Sequence, residues 1–287
     1  MSIRVIASDL DGTLLNENHE LDQIAYETLV RAEAAGIRFI TATGRNYPMT
    51  LDAFGKFDVR CEYILASGAE TRNRQGDVVE SLPLSSVKVR EIADALEPTG
   101  IPLIYNTAGK SFLTGETEKV RKGVIYEAEN YYSKVGNPGF SKEELIQKIL
   151  SRTVIVSAVD DILQPVYKIS INTGEKNAIG EMRKKLTDIS GLAVASSFPN
   201  NIEITDEKAQ KGPVLERYIH QLGYTMEDVI VFGDSMNDYS MMCMEFGCTV
   251  APENADPRIK AAAKMISPPN TEHGVVRIIE KILEGTF

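Results

Sequence analysis

The chain has 287 residues, 43% of them hydrophobic and 25% charged, an ordinary globular composition that suits one large domain or two smaller ones. A formal net charge of −10 argues against nucleic acid or an anionic membrane surface as the main partner, since both require a basic footprint. A small anionic substrate stays open, because distant surface charge is screened over roughly 8 Å at physiological salt.

No apolar run reaches the roughly 18 residues of a membrane span, and Asp9 and Asp11 interrupt the N-terminal apolar stretch too early for a signal peptide. Cys61, Cys243 and Cys248 have no metal-ligand spacing and read as reduced thiols, which implies a cytoplasmic protein.

In chain order, residues 3–8 (IRVIAS) form an apolar, β-branched run typical of a strand covered on both faces. Residues 20–35 carry apolar side chains at Leu21, Ile24, Ala25, Leu29 and Ala32, a helical spacing, with Gly36 as its C-cap. Residues 37–44 (IRFITATG) and 63–68 (YILASG) give two more strands. Alternating strand and helix imply βαβ units and a parallel, doubly wound sheet.

The middle of the chain differs. Residues 86–97 and 175–190 read as helices, and 166–172 as a strand. Residues 101–106 and 110–115 form one hairpin, and AVASSF and NIEIT a second across Pro199-Asn200. Helices with hairpins predict an α+β domain with an antiparallel sheet, placed at 84–204 and inserted into an α/β domain of 1–83 and 205–287. Residues 116–165 yield no clear pattern. The α/β grammar then resumes: a helix at 213–222 with Pro213 in its first turn, and strands at 228–234, 248–252 and 264–268.

In an open α/β sheet, ligands bind beyond the carboxyl ends of the strands. Asp9 ends the first strand, Thr43 the second, and Asp234 the strand VIVFGD, so three polar side chains leave one edge. Crowded carboxylates resist ionising together, and a divalent cation removes that conflict. Oxygen ligands favour Mg²⁺, which beside carboxylates typically handles phosphate. A carboxylate such as Asp9 can attack phosphorus, and a second one two residues on, Asp11, can move the proton. Gly12 permits the sharp turn between strand and loop, Thr43 can donate its hydroxyl to a phosphoryl oxygen, and a lysine should complete the charge balance.

The segments DLDGTLL, TATGR, DEKAQKG and FGDSMND resemble the four motifs of the haloacid dehalogenase superfamily of phosphotransferases. Their order and spacing resemble the Cof-type branch, which inserts a large cap between the second and third motifs. The resemblance covers 1–83 and 205–287 well and the insert in outline. It implies a Rossmann-like core, an inserted cap that sets specificity and moves during turnover, and Mg²⁺ as cofactor. It also implies hydrolysis of small phosphate monoesters, such as sugar phosphates, through an aspartyl-phosphate.

Residue by residue, the resemblance makes Asp9 the nucleophile and a metal ligand. Asp11 becomes the acid/base and a ligand through its backbone carbonyl, and Asp234 a third ligand. Thr43 and Gly44 of the second motif, with Lys211, bind phosphate; Lys211 is preferred over Lys208 because Gly212 and a helix follow it. Asn237 and Asp238 support the site. Arg45 either pairs with a carboxylate or touches substrate. Ser67 replaces the asparagine that this branch often carries before Gly-Ala, and is a possible substrate contact. The isolated His19, His220 and His273 read as surface residues. The partner is a small phosphorylated metabolite. A phosphomutase with the same aspartates and a non-enzymatic phosphosugar sensor are the competing readings; a receiver-type domain is too short for this chain.

Overall fold

In the computed structural model of the chain, residues 3–114, 118, 125, 141–175, 177–198 and 200–287 are described. They fall into two compact units, Met1–Leu82 with Lys208–Phe287, and Pro83–Glu207. The expected boundaries at 84 and 204 lie slightly inside the second unit, because its last strand runs on to Asp206.

The first unit begins with strands Val5–Ser8 (β1), Arg38–Ala42 (β2), Glu62–Leu65 (β3), Glu70–Arg72 (β4) and Val78–Ser81 (β5). The second unit contributes Ile104–Asn106 (β6), Ser111–Thr114 (β7), Thr153–Val156 (β8), Lys168–Asn172 (β9), Leu192–Ala195 (β10) and Asn201–Asp206 (β11). The chain then returns to the first unit as Val229–Phe232 (β12), Cys248–Pro252 (β13) and Met265–Ser267 (β14).

Eight strands of the first unit form one sheet in the order β14-β13-β12-β1-β2-β3-β4-β5. It is parallel from β14 to β3, and β4 and β5 add an antiparallel edge that the sequence reading does not anticipate. β1 sits at the centre and is buried throughout. Alternation sends its side chains to both faces: Ile6 joins Leu29, Ile278 and Ile279 in one core, while Val5 and Ala7 join Val214, Leu215 and Ile219 in the other. The helix Gly274–Leu283, absent from the sequence reading, and the helix Gln23–Ala34 cover the first face. The helix Lys211–Gln221 covers the second. Gln23–Ala34 starts later than its apolar spacing suggests, because the Asp22 carboxylate accepts the Ala25 N–H as its N-cap.

The second unit has a six-stranded sheet in the order β10-β11-β9-β6-β7-β8. It is antiparallel except for β7 and β8, which run parallel. This corrects the all-antiparallel expectation. The stretch between β7 and β8 holds the helix Lys142–Arg152, so it is a crossover rather than a hairpin. Tyr105, Ile169, Ile171, Ile202 and Ile204 pack under the helices Ser86–Leu96 and Ala178–Leu186. Pro199, in the expected second hairpin turn, lies outside the described residues, as does Gly115 at the end of the first. Among the described residues no helix is long and apolar enough to cross a membrane.

Candidate active site

Because β2, β1 and β12 are parallel neighbours, their carboxyl ends share one edge. Asp9 follows β1 directly, Thr43 follows β2, and Asp234 stands two residues beyond β12. Asp9 is 4% exposed, and its backbone N–H donates to the Phe232 carbonyl at 3.0 Å. The chain then turns through Leu10–Leu14, closed by the Leu15 N–H on the Leu10 carbonyl at 2.9 Å. Gly12 has φ +74°, and a Cβ there would stand 2.6 Å from Asp234 Oδ2, so only glycine fits between the two aspartate loops. Thr13 closes the other side, its hydroxyl donating to Asp234 Oδ1 at 3.0 Å.

Lys211, at the start of its helix, is wholly buried. Its ammonium donates to Asp9 Oδ1 at 2.7 Å and to Asp238 Oδ1 at 2.6 Å. Burial alone would lower it, but Asp238 and Asp9 hold it well above the usual lysine range, so it stays charged. The other Asp238 oxygen accepts the N–H groups of Asp234 and Ser235, both at 3.0 Å, which shapes the Asp234 loop and aims Lys211. The Ser235 hydroxyl donates to Asn237 Oδ1 at 2.8 Å, placing Asn237 in the same loop.

Asp9, Asp234 and Asp238 each bring an oxygen within 4.8 Å of the others. Burial raises Asp9 to about 7, helped by Asp238 and Asp11 and opposed by Lys211. Burial, Asp238 and Asp9 likewise push Asp234 well above the usual carboxylate range. Hard oxygen donors that cannot all ionise together suit a Mg²⁺-type ion. Asp238 is already engaged through both oxygens, so Asp9 and Asp234 are the carboxylates suited to ligation.

The Asp11 carboxylate is not part of that cluster. Arg45 grips it with two bonds, Nε to Oδ2 at 2.7 Å and a terminal nitrogen to Oδ1 at 2.6 Å. His19 Nδ1 lies 2.6 Å from the same Oδ1 and donates to it. Burial opposes ionisation of Asp11, but the Arg45 guanidinium and the His19 bond hold its carboxyl well below the usual range. Arg45 thus takes the carboxylate-pairing alternative. His19 is not a bystander, contrary to the surface reading; it reaches Asp11 from a turn with φ +59° eight residues on, which no helical or strand spacing reveals.

Thr43 is 1% exposed, and its hydroxyl accepts the Arg45 N–H at 3.2 Å, which leaves its own proton to donate. Gly44 lies in this bend between Thr43 and Arg45. Ser67 is buried, with φ +61°, and its N–H donates to the Thr43 carbonyl at 3.0 Å. The left-handed backbone explains an asparagine preference at this position, since asparagine tolerates that region better than serine.

The match to the family of haloacid dehalogenase-like hydrolases runs over residues 6–279, nearly the whole chain. The chain belongs to that family. It is similar to "Phosphatase YwpJ" of Bacillus subtilis (strain 168), 26% identical over 98% of this chain and 100% of the relative. It is also similar to "5-amino-6-(5-phospho-D-ribitylamino)uracil phosphatase YcsE" of the same organism, 27% identical over 97% of this chain and 95% of the relative. Among solved structures, a haloacid dehalogenase-like hydrolase from B. subtilis superposes with a TM-score of 0.82 at 25% identity, covering 97% of this chain and 99% of that one. This haloacid dehalogenase-like architecture is what brings four separated motifs to one sheet edge.

Proposed function

We propose that the chain is a Mg²⁺-dependent phosphatase that hydrolyses small phosphate monoesters, sugar phosphates or similar metabolites, through an aspartyl-phosphate on Asp9. The coarser statement, a phosphoric monoester hydrolase of the haloacid dehalogenase type, rests on the family match and on relatives named phosphatases. The observation that carries the finer reading is the buried ammonium of Lys211 between Asp9 and Asp238, with Asp234 beside them.

In this reading Asp9 and Asp234, with the Asp11 backbone carbonyl, would hold Mg²⁺, which would offset the repulsion between the Asp9 carboxylate and a phosphate dianion. Lys211 and the Thr43 hydroxyl, with Gly44 in the same bend, hold the equatorial oxygens. An Asp9 oxygen attacks phosphorus, the ester P–O bond breaks, and Asp11 gives its proton to the departing alkoxide. Asp11 then takes a proton from water, the water oxygen attacks phosphorus, and inorganic phosphate leaves Asp9. The ionised Asp11 bound by Arg45 matches the second half of this cycle; the first half requires the guanidinium to release it. Residues 84–204 act as the cap that selects the substrate. YcsE is named for a phosphoribityl compound, which supports a polyol-bearing phosphate ester as substrate class.

The test is hydrolysis of a broad panel of phosphate esters with Mg²⁺ and with EDTA. Turnover that needs the cation supports the reading. Phosphoryl return to a sugar bisphosphate would establish the mutase instead, and no turnover of any ester would favour the sensor.

A further inference from the structure

Two asparagines outside the four motifs hold the turn that carries Asp11. Asn254 follows β13 and Asn270 follows β14, parallel neighbours whose ends lie on the Asp9 edge. Asn254 Nδ2 donates to the Gly12 carbonyl at 2.8 Å, and Asn270 Nδ2 donates to the Leu15 carbonyl at 3.0 Å. The Asn270 backbone N–H donates to Asn254 Oδ1 at 3.0 Å. That last bond fixes the orientation of the Asn254 amide: its oxygen faces Asn270, so its NH₂ must face Gly12.

Gly12 is the weak point of the turn. Glycine can rotate its flanking peptide planes at little cost, and Asp11 is attached to one of them. Thr13 ties the chain after Gly12 to Asp234, and the Asn254 amide ties the Gly12 carbonyl. Asn270 ties the far end at Leu15 and carries Asn254 with it.

We propose that Asn254 and Asn270 are positioning residues for Asp11, which fix the Gly12–Thr13 peptide and the far end of the turn, so that the chain at Gly12 cannot swing and the Asp11 carboxyl meets the leaving-group oxygen. The inference rests on the acid/base role of Asp11 given above. Asn254 is exposed and its partners Gly12 and Asn270 are half-buried, so its loss strands no fully buried polar group.

The experiment compares kcat/KM of the full-length protein on phenyl phosphate and on p-nitrophenyl phosphate, whose leaving group needs little protonation. Wild type, Asp11→Asn, Asn254→Ala and Asn270→Asp are measured together with their thermal stability. Asn270→Asp keeps the backbone N–H to Asn254 but loses the donor to Leu15. The expected result is that Asn254→Ala loses roughly three- to tenfold on phenyl phosphate, the kinetic equivalent of one ordinary hydrogen bond. The loss on p-nitrophenyl phosphate is smaller, the same sense as Asp11→Asn, and inhibition by inorganic phosphate is unchanged. Asn270→Asp shows the same pattern, so the proposal remains open to refutation even if one variant fails to fold. If Asp11→Asn discriminates between the two esters and the asparagine variants lose equally on both, or lose nothing, the inference is overturned while the phosphatase reading stands. Wild type inert toward both esters overturns the phosphatase reading and the inference with it.

Discussion

Replacing Lys211 by methionine removes the ammonium and retains most of the side-chain volume. Lys211 is wholly buried and pairs with two buried carboxylates at 2.7 and 2.6 Å. Deleting one partner of a buried ion pair costs about 3–5 kcal/mol, because the other charge is left uncompensated. Asp238 keeps the N–H groups of Asp234 and Ser235, so Asp9 is the carboxyl that must hold a proton. In the metal-free wild type, burial already raises Asp9 from 3.8 to about 7, with Lys211 opposing; without Lys211 it rises further. A carboxyl raised in this way contributes stability that is complete below the unfolded value and lost as pH climbs through the folded value. At about pH 6 both proteins therefore hold Asp9 neutral, and they differ mainly by the lost Asp238 pairing. Above about pH 7 the wild type ionises Asp9 against Lys211 while the variant cannot, and the gap widens by about 1.4 kcal/mol per pH unit. At roughly 2–4 °C per kcal/mol, melting followed by circular dichroism in EDTA should show a deficit of about 6 °C or more near pH 6. A further ~6 °C or more is expected near pH 9, where the added penalty is about 3 kcal/mol. Equal melting temperatures, or a gap that does not change with pH, would refute the electrostatic reasoning.

Asp9→Asn should abolish turnover on every ester. Asp11→Asn should lose roughly 10²–10⁴-fold on an alkyl phosphate and much less on p-nitrophenyl phosphate, read from steady-state rates. Stability of the metal-free wild type should fall as pH rises through about 7, and Mg²⁺ should raise the melting temperature more near pH 8 than near pH 5.5, because at low pH it must displace protons from Asp9 and Asp234; an equal rise at both pH values would contradict this. Arg45→Ala removes the charge that holds Asp11 down, so the alkaline limb of the kcat/KM profile, where Asp11 loses the proton it gives to the leaving group, should move to higher pH; an unmoved limb would detach Arg45 from the proton-transfer step.

Much of the first unit was legible because its central strands are covered on both faces and read as apolar runs, with a polar residue where each run stops. Asp9, Thr43 and Asp234 each stand just beyond such a run, at the ends of β1, β2 and β12. β4 and β5 are short and largely polar or exposed, so neither the period nor the hydrophobicity of the sequence marks them. The parallel pairing of β7 with β8 depends on a crossover in the least patterned part of the chain. Within the candidate site, His19, Asn254 and Asn270 stand in turns or at the start of a single helical turn and reach the Asp11 turn by hydrogen bonds that no helical or strand spacing marks. Asn254 and Asn270 lie 242 and 255 residues from the atoms they hold, a separation that only the sheet order makes short.

The central claim is that phosphorus passes through Asp9. The direct measurement is rapid acid quench of the protein during turnover of a ³²P-labelled ester with Mg²⁺, followed by peptide mapping of the label by mass spectrometry. The account predicts acid-stable, hydroxylamine-labile label on the peptide containing Asp9, absent from Asp9→Asn and retained in slowly hydrolysed form by Asp11→Asn. Label on Asp11 in the Asp9→Asn protein would reverse the two roles, and undiminished turnover by Asp9→Asn with no label anywhere would contradict the account.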